Sequence, residues 1–188
     1  MYPEGSLPAS AVPAELLTLN ARWAASVTNF DPNFFPNSAK GQSPREYRQQ
    51  FPTNDLSSHC VLQFAINGPP DANHVIVVGH TSCGGVGAAL NAARDGDPIL
   101  PPLDQWLAPL VERIKKLPDL PNQTLNNVTK ESVKMQIENV CNSDAIKSIK
   151  KTVYIHGWMY HLENGFLEDL YLTREIAPSG GGPAPGGN

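Results

Sequence analysis

The sequence predicts an α/β domain with a parallel sheet and flanking helices, because two strand-like segments are separated by long helical segments. Residues 74–79 (HVIVVG) form a β-branched run that ends at a glycine, as is typical of a strand buried on both faces of a parallel sheet. Residues 152–156 (TVYIH) form a second such run. A strand, a helical crossover and another strand imply parallel pairing.

Four segments carry apolar residues at helical spacing or follow a helix-start signal. Residues 15–28 place apolar side chains three or four positions apart, and Asp55 opens a second helix as its N-cap. The glycine-rich run at 84–90 turns into a third helix, and residues 131–150 form a fourth. These helices flank the predicted strands.

The rest of the chain is predicted to form turns and loops. Residues 158–172 have the pattern of a hairpin with its turn at Glu163-Asn164-Gly165. Proline and glycine are concentrated near the N-terminus, at 95–121 and in the last residues, which predicts loops there. We therefore expect one domain over residues 1–176 and a disordered tail over 177–188.

Composition excludes several classes of protein. The 188 residues are 40% hydrophobic and 17% charged, with a net charge of -4, which argues against a nucleic-acid binder or a basic membrane-binding surface. The sequence contains no run of 18 consecutive apolar residues, so no membrane-spanning helix is predicted. The first twenty residues do not match a secretory signal, and three cysteines do not form a disulfide framework. A reducing compartment, the cytoplasm, is therefore expected.

The sequence VIVVGHTSCGG contains the strongest candidate for a functional site. It places His80 and Cys83 at the carboxyl end of a predicted strand, where open α/β sheets bind ligands. An imidazole and a thiolate three residues apart can both reach one zinc ion, although two ligands do not complete a structural zinc site. The alternative interpretation is a core histidine and a buried free thiol beside a tight turn.

Five sequence blocks together resemble the β-class carbonic anhydrases and occur in the order found in that family. They are AKGQSP (39–44), VLQFAI (61–66), GHTSCGGVGAAL (79–90), ENVCNSDAIK (138–147) and YIHGWMYHLENGFLEDL (154–170). The resemblance implies a zinc enzyme that interconverts carbon dioxide and bicarbonate and assembles as dimers or higher oligomers. It also implies that His80 and Cys83 are two of the zinc ligands, that Gln42 contacts bicarbonate and that the Gly84 N–H faces the substrate pocket.

The sequence departs from the family at one block. The family's Cys-x-Asp-x-Arg motif, which carries the first zinc ligand, is absent, and Ser43-Pro44 runs directly into REYRQQFPTNDLSSHC. We interpret this as an internal deletion that removes two strands, so the domain should be short of strands and have exposed sheet edges. Phe64 also replaces a pocket tyrosine of the family. Activity is expected to be weak or absent, because zinc catalysis needs three protein ligands and an open position.

The other cysteines and histidines are interpreted as structural residues. Cys60 is expected to be a buried thiol on an apolar helix face, Cys141 a core residue, and His59 a solvent-facing side chain. His156 is expected to make a packing contact or a contact to a ligand residue, and His74 and His161 to lie at the surface or at an edge.

Two other hypotheses remain open. The chain could be a non-catalytic regulatory or structural subunit that associates with a complete paralogue, because it keeps the terminal helices and the hairpin. It could also be a chain that folds poorly after losing strands. The helix at 15–28 has enough apolar surface to need either a partner subunit or packing within its own chain.

Overall fold

The computed structural model describes residues 11–40, 51–53 and 55–178. Its strands are β1 (His74–His80), β2 (Val153–Tyr160), β3 (Leu167–Asp169) and β4 (Arg174–Ile176). Its α-helices are α1 (Ala11–Phe30), α2 (Phe34–Lys40), α3 (Leu56–Asn67), α4 (Gly84–Asp95), α5 (Leu103–Ile114), α6 (Leu125–Cys141) and α7 (Asp144–Lys147). None of these helices is long and apolar enough to cross a membrane.

The sheet confirms the predicted parallel pairing. β1 and β2 run parallel over their whole overlap, with His74 opposite Tyr154 and His80 opposite Tyr160. β3 and β4 both pair antiparallel with the other side of β2. In the described part of the chain β1 therefore has a strand on one side only, which agrees with the expectation of an exposed edge.

Helix α6 packs directly on the sheet, and two glycines allow this close approach. A Cβ at Gly79 would lie 2.7 Å from Val133, and one at Gly157 would lie 2.7 Å from Ile137. Both distances are shorter than a real Cβ allows. Helix α6 can therefore approach β1 and β2 this closely only because residues 79 and 157 are glycines. Side chains at alternate positions of β1, His80 among them, point to the opposite face of the sheet.

Two further helices pack against α6. Helices α4 and α5 pack against each other and against α6 around a buried apolar cluster. Its fully buried members are Ala89, Leu107, Leu110, Ile114 and Val128. This cluster supports the carboxyl end of β1, because only three residues separate that strand from α4.

Three element boundaries differ from the sequence prediction. The helix predicted at 131–150 starts earlier, where Thr124 caps the N-terminus of α6, and it breaks after Cys141. Ser143 then caps the short helix α7, because its hydroxyl accepts a hydrogen bond from the N–H of Ile146. β2 also runs on to Tyr160 instead of ending at residue 156.

The region 95–121, predicted as loop, contains the three-turn helix α5. The prolines of this region lie before α5, within it at Pro109 and after it. Their high number predicted a loop, although the apolar residues of the segment have helical spacing. The predicted hairpin turn is confirmed, since Gly165 has a φ of 76°. The predicted tail lies almost wholly outside the described residues.

Candidate metal-binding site

His80 is the last residue of β1, and its ring is oriented by the backbone. Its Nδ1 lies 2.9 Å from the carbonyl oxygen of Thr81. Because a carbonyl can only accept a hydrogen bond, Nδ1 carries the proton and Nε2 keeps the lone pair in the neutral ring. An imidazole held in this way is a typical metal ligand.

The turn between His80 and Cys83 is held by the loop that follows β2. The N–H of Thr81 donates to the carbonyl oxygen of Tyr160 at 3.0 Å, which extends the β1–β2 ladder by one residue. The Thr81 hydroxyl donates to a carboxylate oxygen of Glu163 at 2.6 Å and accepts from the N–H of Leu162 at 3.0 Å. Ser82 then adopts a φ of 55°, a strained conformation for a residue other than glycine.

Cys83 is buried and is the N-cap residue of α4. Burial opposes the charged thiolate, but the hydrogen bond with His80 and the nearby N–H groups of Val86 and Gly85 outweigh it and lower the pKa of Cys83. The hydrogen bond with Cys83 in turn raises the pKa of His80, against the effect of burial. The two side chains thus lie in contact and stabilise each other's charged form.

The other two residues expected at this site are Gly84 and Gln42. Gly84 follows Cys83 directly and is exposed, and a Cβ there would meet no atom within 4 Å, so packing does not require a glycine. Gln42 lies outside the described residues. The structure therefore brings His80, Cys83 and Gly84 together on one turn and does not test Gln42.

The remaining cysteines and histidines lie elsewhere, and two of them differ from expectation. Cys60 is exposed on α3, so the prediction of a buried thiol is wrong. The buried face of that helix is formed by Leu62 and Ile66 instead. His59 does not face solvent freely: its Nε2 lies 3.1 Å from the carbonyl oxygen of Pro52. Cys141 packs against the core as expected, and burial raises its pKa.

His74 and His156 form a pair across β1 and β2, a contact that the sequence did not predict. Their rings stack, with His74 Nδ1 2.9 Å from His156 Nε2. The expected packing contact of His156 is thus confirmed, and its Nδ1 also lies 3.0 Å from the Thr173 hydroxyl. His161, expected at the surface or at an edge, lies directly after β2, is partly exposed and contacts carboxylate oxygens of Glu163 and Glu168.

Sequence reasoning also missed a set of polar residues on α6. Thr129, Ser132 and Gln136 are buried and line a cavity that also touches His80 and Cys83. Their spacing of three and four residues, shared with Val133, was the available signal that they occupy one helix face.

The donor atoms at the turn fit part of a zinc site. A catalytic zinc ion takes three protein ligands, and an imidazole nitrogen and a thiolate are two of its usual donors. Within residues 11–40, 51–53 and 55–178, no three His, Cys, Asp or Glu side chains are grouped closely enough to hold a metal ion. The described residues therefore bring together two side chains of suitable chemistry and do not complete a catalytic zinc site.

Comparison with known proteins points to one family. The family model described as carbonic anhydrase matches residues 43–167. The carbonic anhydrase of Emericella nidulans is 29% identical over 194 positions, which cover 81% of this chain and 81% of that protein. The carbonic anhydrase of Saccharomyces cerevisiae is 25% identical over 202 positions, covering 87% of this chain and 91% of that protein.

The alignment with the Emericella protein shows that this chain lacks positions present in that relative. The alignment with the Emericella protein spans 194 positions yet takes in 81% of the 188 residues here. That relative therefore has several tens of positions with no counterpart in this chain.

Solved structures share the fold at lower sequence identity. A β-carbonic anhydrase from Coccomyxa, solved in complex with acetazolamide, has a TM-score of 0.58 and 20% identity, and 87% of each chain is covered. A tetrameric β-carbonic anhydrase from Sordaria macrospora has a TM-score of 0.52 and 19% identity, with 87% of this chain and 99% of that one covered. The α/β architecture is thus that of β-carbonic anhydrases.

Proposed function

Because this chain belongs to the β-carbonic anhydrase family, we propose that it is a shortened member in which interconversion of carbon dioxide and bicarbonate is weak or absent. The proposal depends on one observation: the side chains of His80 and Cys83 are in contact, whereas no third His, Cys, Asp or Glu is grouped with them in the described part of the chain. The unmatched positions of the Emericella relative support an internal deletion.

We propose that zinc is held through His80 Nε2 and the Cys83 thiolate, with water or another group completing its coordination. When three protein ligands hold it, zinc lowers the pKa of a bound water to near neutrality and supplies hydroxide. The sequence also lacks the Asp and Arg of the Cys-x-Asp-x-Arg motif. Electrostatic groups of that kind contribute orders of magnitude to rates, so their absence supports low activity.

The proposed substrate contacts come from the same turn and from the GQSP block. The Gly84 N–H is at the exposed N-terminus of α4, where backbone N–H groups and the helix dipole favour an anion such as bicarbonate. Gln42 is proposed as a second contact to bicarbonate on the basis of its sequence match alone.

Zinc content tests the proposed ligands. Protein loaded with zinc and then dialysed should keep less than one zinc ion per chain, and weak chelators should remove it, because two protein ligands bind more weakly than three. His80→Ala and Cys83→Ser should each reduce the zinc content further, as measured by elemental analysis.

Cys60→Ser is the matched control, because Cys60 is an exposed thiol on another helix. It should leave the zinc content unchanged. Full zinc occupancy that survives both His80→Ala and Cys83→Ser would contradict the assignment.

We further propose that the chain assembles with other copies in the cytoplasm. Leu16, Leu19 and Trp23 of α1 are exposed apolar side chains, and burying them in a subunit interface would be favourable. The three cysteines are free, which agrees with a reducing compartment.

The same exposed surface favours a second candidate, a non-catalytic subunit that associates with a complete paralogue. Co-expression with a complete carbonic anhydrase, followed by native mass spectrometry, separates the two candidates. Mixed oligomers are expected for a regulatory subunit, whereas homo-oligomers alone would exclude that role.

A further inference from the structure

The outer edge of β1, the side that faces away from β2, has no strand paired with it among the described residues. The N–H of Tyr154 donates to the carbonyl oxygen of Asn73 at 2.8 Å, in register with the parallel pairing of β1 and β2. Alternate residues of a strand direct their backbone groups to opposite sides. The odd-numbered residues of β1 therefore bond to β2, and the N–H and carbonyl groups of Ile76 and Val78 point to the outer edge.

The sequence of β1 carries none of the usual protections of a sheet edge. Natural proteins cover such an edge or interrupt it with lysine, proline or a bulge. The strand reads HVIVVGH, without lysine or proline, and its seven residues pair with β2 in unbroken register. Val78 is 47% exposed, although valine is among the residues most often buried. The outer edge is thus a template on which another strand can add.

The order of residues in β1 suits antiparallel pairing with a second copy of itself. The strand is nearly palindromic, with histidine at both ends and Val77 at the centre. Antiparallel pairing about Val77 places Ile76 opposite the partner's Val78. These are the residues whose backbone groups point to the outer edge, so each facing pair exchanges two hydrogen bonds. The side chains that meet are both β-branched, which is a favourable cross-strand combination.

Charge also favours an identical strand over a charged partner. The whole chain has a net charge of -4, which opposes contact between copies at acidic surfaces. Strand β1 contains no aspartate, glutamate, lysine or arginine. Two copies of it therefore place no like charges opposite each other, whereas a charged peptide would find no opposite charge on this strand.

We propose that the outer edge of β1 is an interface between two copies of this chain, in which β1 pairs antiparallel with the partner's β1 about a two-fold axis at Val77. The two four-stranded sheets then form one continuous sheet. This pairing uses a different surface from the exposed side chains of α1 and needs no zinc. A single strand edge buries less area than a standard interface, so we expect a dissociation constant in the micromolar range.

Cysteine cross-linking tests both the interface and its register. At the axis, Val77 lies opposite the partner's Val77 in a pair without hydrogen bonds, whose Cα atoms are about 4.5 Å apart. That separation allows a disulfide. A Cys60→Ser background removes the exposed native thiol. In that background, Val77→Cys should form covalent dimers on mild oxidation with diamide, as measured by non-reducing electrophoresis.

Val75→Cys in the same background is the matched control. The side chains of Val75 and Val77 lie on the same face of β1, and both are partly buried. In the proposed register, Val75 is four residues along the strand from the point opposite the partner's Val75, a distance of about 13 Å. This variant should therefore remain monomeric on denaturing gels.

Sedimentation velocity over the micromolar range tests the interface without a disulfide. Val78→Lys adds a charge at an exposed side chain, so the fold should tolerate it, but it places two ammonium groups beside the axis. The dissociation constant should rise at least about tenfold. Val78→Thr keeps an uncharged β-branched side chain and should leave it within about twofold of the unaltered protein. Circular dichroism checks that both variants are folded.

Hydrogen exchange identifies what covers the edge. We expect the amides of Ile76 and Val78 to be protected at high protein concentration and to lose protection on dilution. Protection that is independent of concentration would show that a segment of the same chain covers the edge, and would overturn the inference.

Three other results would also overturn it: no covalent dimer with Val77→Cys, equal covalent dimer with Val75→Cys, or equal dissociation constants for Val78→Lys and Val78→Thr. None of these measurements depends on zinc or on activity. Failure of the inference would therefore leave the proposed function as it stands.

Discussion

Helices α3 and α5 are both twelve residues long and rich in apolar residues, yet they differ in how well the protein covers them. Helix α5 packs against both α4 and α6, and its Leu110 is 1% exposed. Helix α3 packs mainly against α7, and its Leu56 is 77% exposed, with Val61 and Phe64 also exposed. Among the described residues, the structure thus covers α5 and β2 well and leaves much of α3 and one edge of β1 uncovered.

The largest expected effect is a contrast between two leucine truncations. Leu110→Ala should lower the free energy of unfolding by about 2–5 kcal/mol, because it leaves a cavity in a closely packed cluster. Leu56→Ala should change it by less than about 0.5 kcal/mol, because that side chain is in solvent. Urea denaturation measures both values. Equal losses would mean that α3 is covered in solution, by a partner subunit or by residues outside the described ranges.

A smaller effect is expected from adding one methyl group to the sheet. Gly157→Ala places a Cβ against Ile137 and Val133 of α6 and should cost about 1–3 kcal/mol. Gly84→Ala is the matched control, because a Cβ there meets open space. A Gly157→Ala protein as stable as the unaltered one would show that α6 does not pack on the sheet as described.

The smallest expected effect concerns the pH dependence of stability. Burial lowers the pKa of both His74 and His156 below the ordinary value of 6.5. The unfolded chain therefore binds more protons than the folded one as pH falls below 6.5. Stability is fully present above that pH and is lost on acidification, by at most about 1.4 kcal/mol per pH unit for each proton.

His156→Gln should therefore flatten this loss, which urea midpoints between pH 7.5 and 5 would detect. His161→Gln should have the opposite effect. Against the effect of burial, hydrogen bonds with Glu163 and Glu168 raise the pKa of His161, so its protonation stabilises the fold as pH falls. An identical pH profile in His156→Gln would show that the His74–His156 pair does not titrate with folding.

The sequence predicted the region around β1 and β2 well, because local patterns and long-range contacts agree there. The β-branched run of β1, the glycine turn at Gly84 and the N-cap Asp55 each produced the expected element. The contact between His80 and Cys83 followed from their positions at a strand end and at a helix start.

The predictions that failed concern features decided by contacts between residues far apart in the sequence. Helix α3 has apolar residues around most of its circumference, so its sequence could not show that Leu62 faces the core while Cys60 faces solvent. Ser143 followed by Asp144 was a helix-start signal within a continuous apolar pattern, and the pattern hid the break. The hydrogen bond between Gln136 and Phe51 joins residues 85 positions apart, and no local pattern encodes it.

We propose that the described residues of this carbonic anhydrase relative supply too few zinc ligands for efficient catalysis. Stopped-flow measurement of carbon dioxide hydration on zinc-loaded protein tests it directly. We expect a rate close to that of the uncatalysed reaction, with little further change in Cys83→Ser. A turnover comparable to that of complete family members, abolished by Cys83→Ser, would contradict the account.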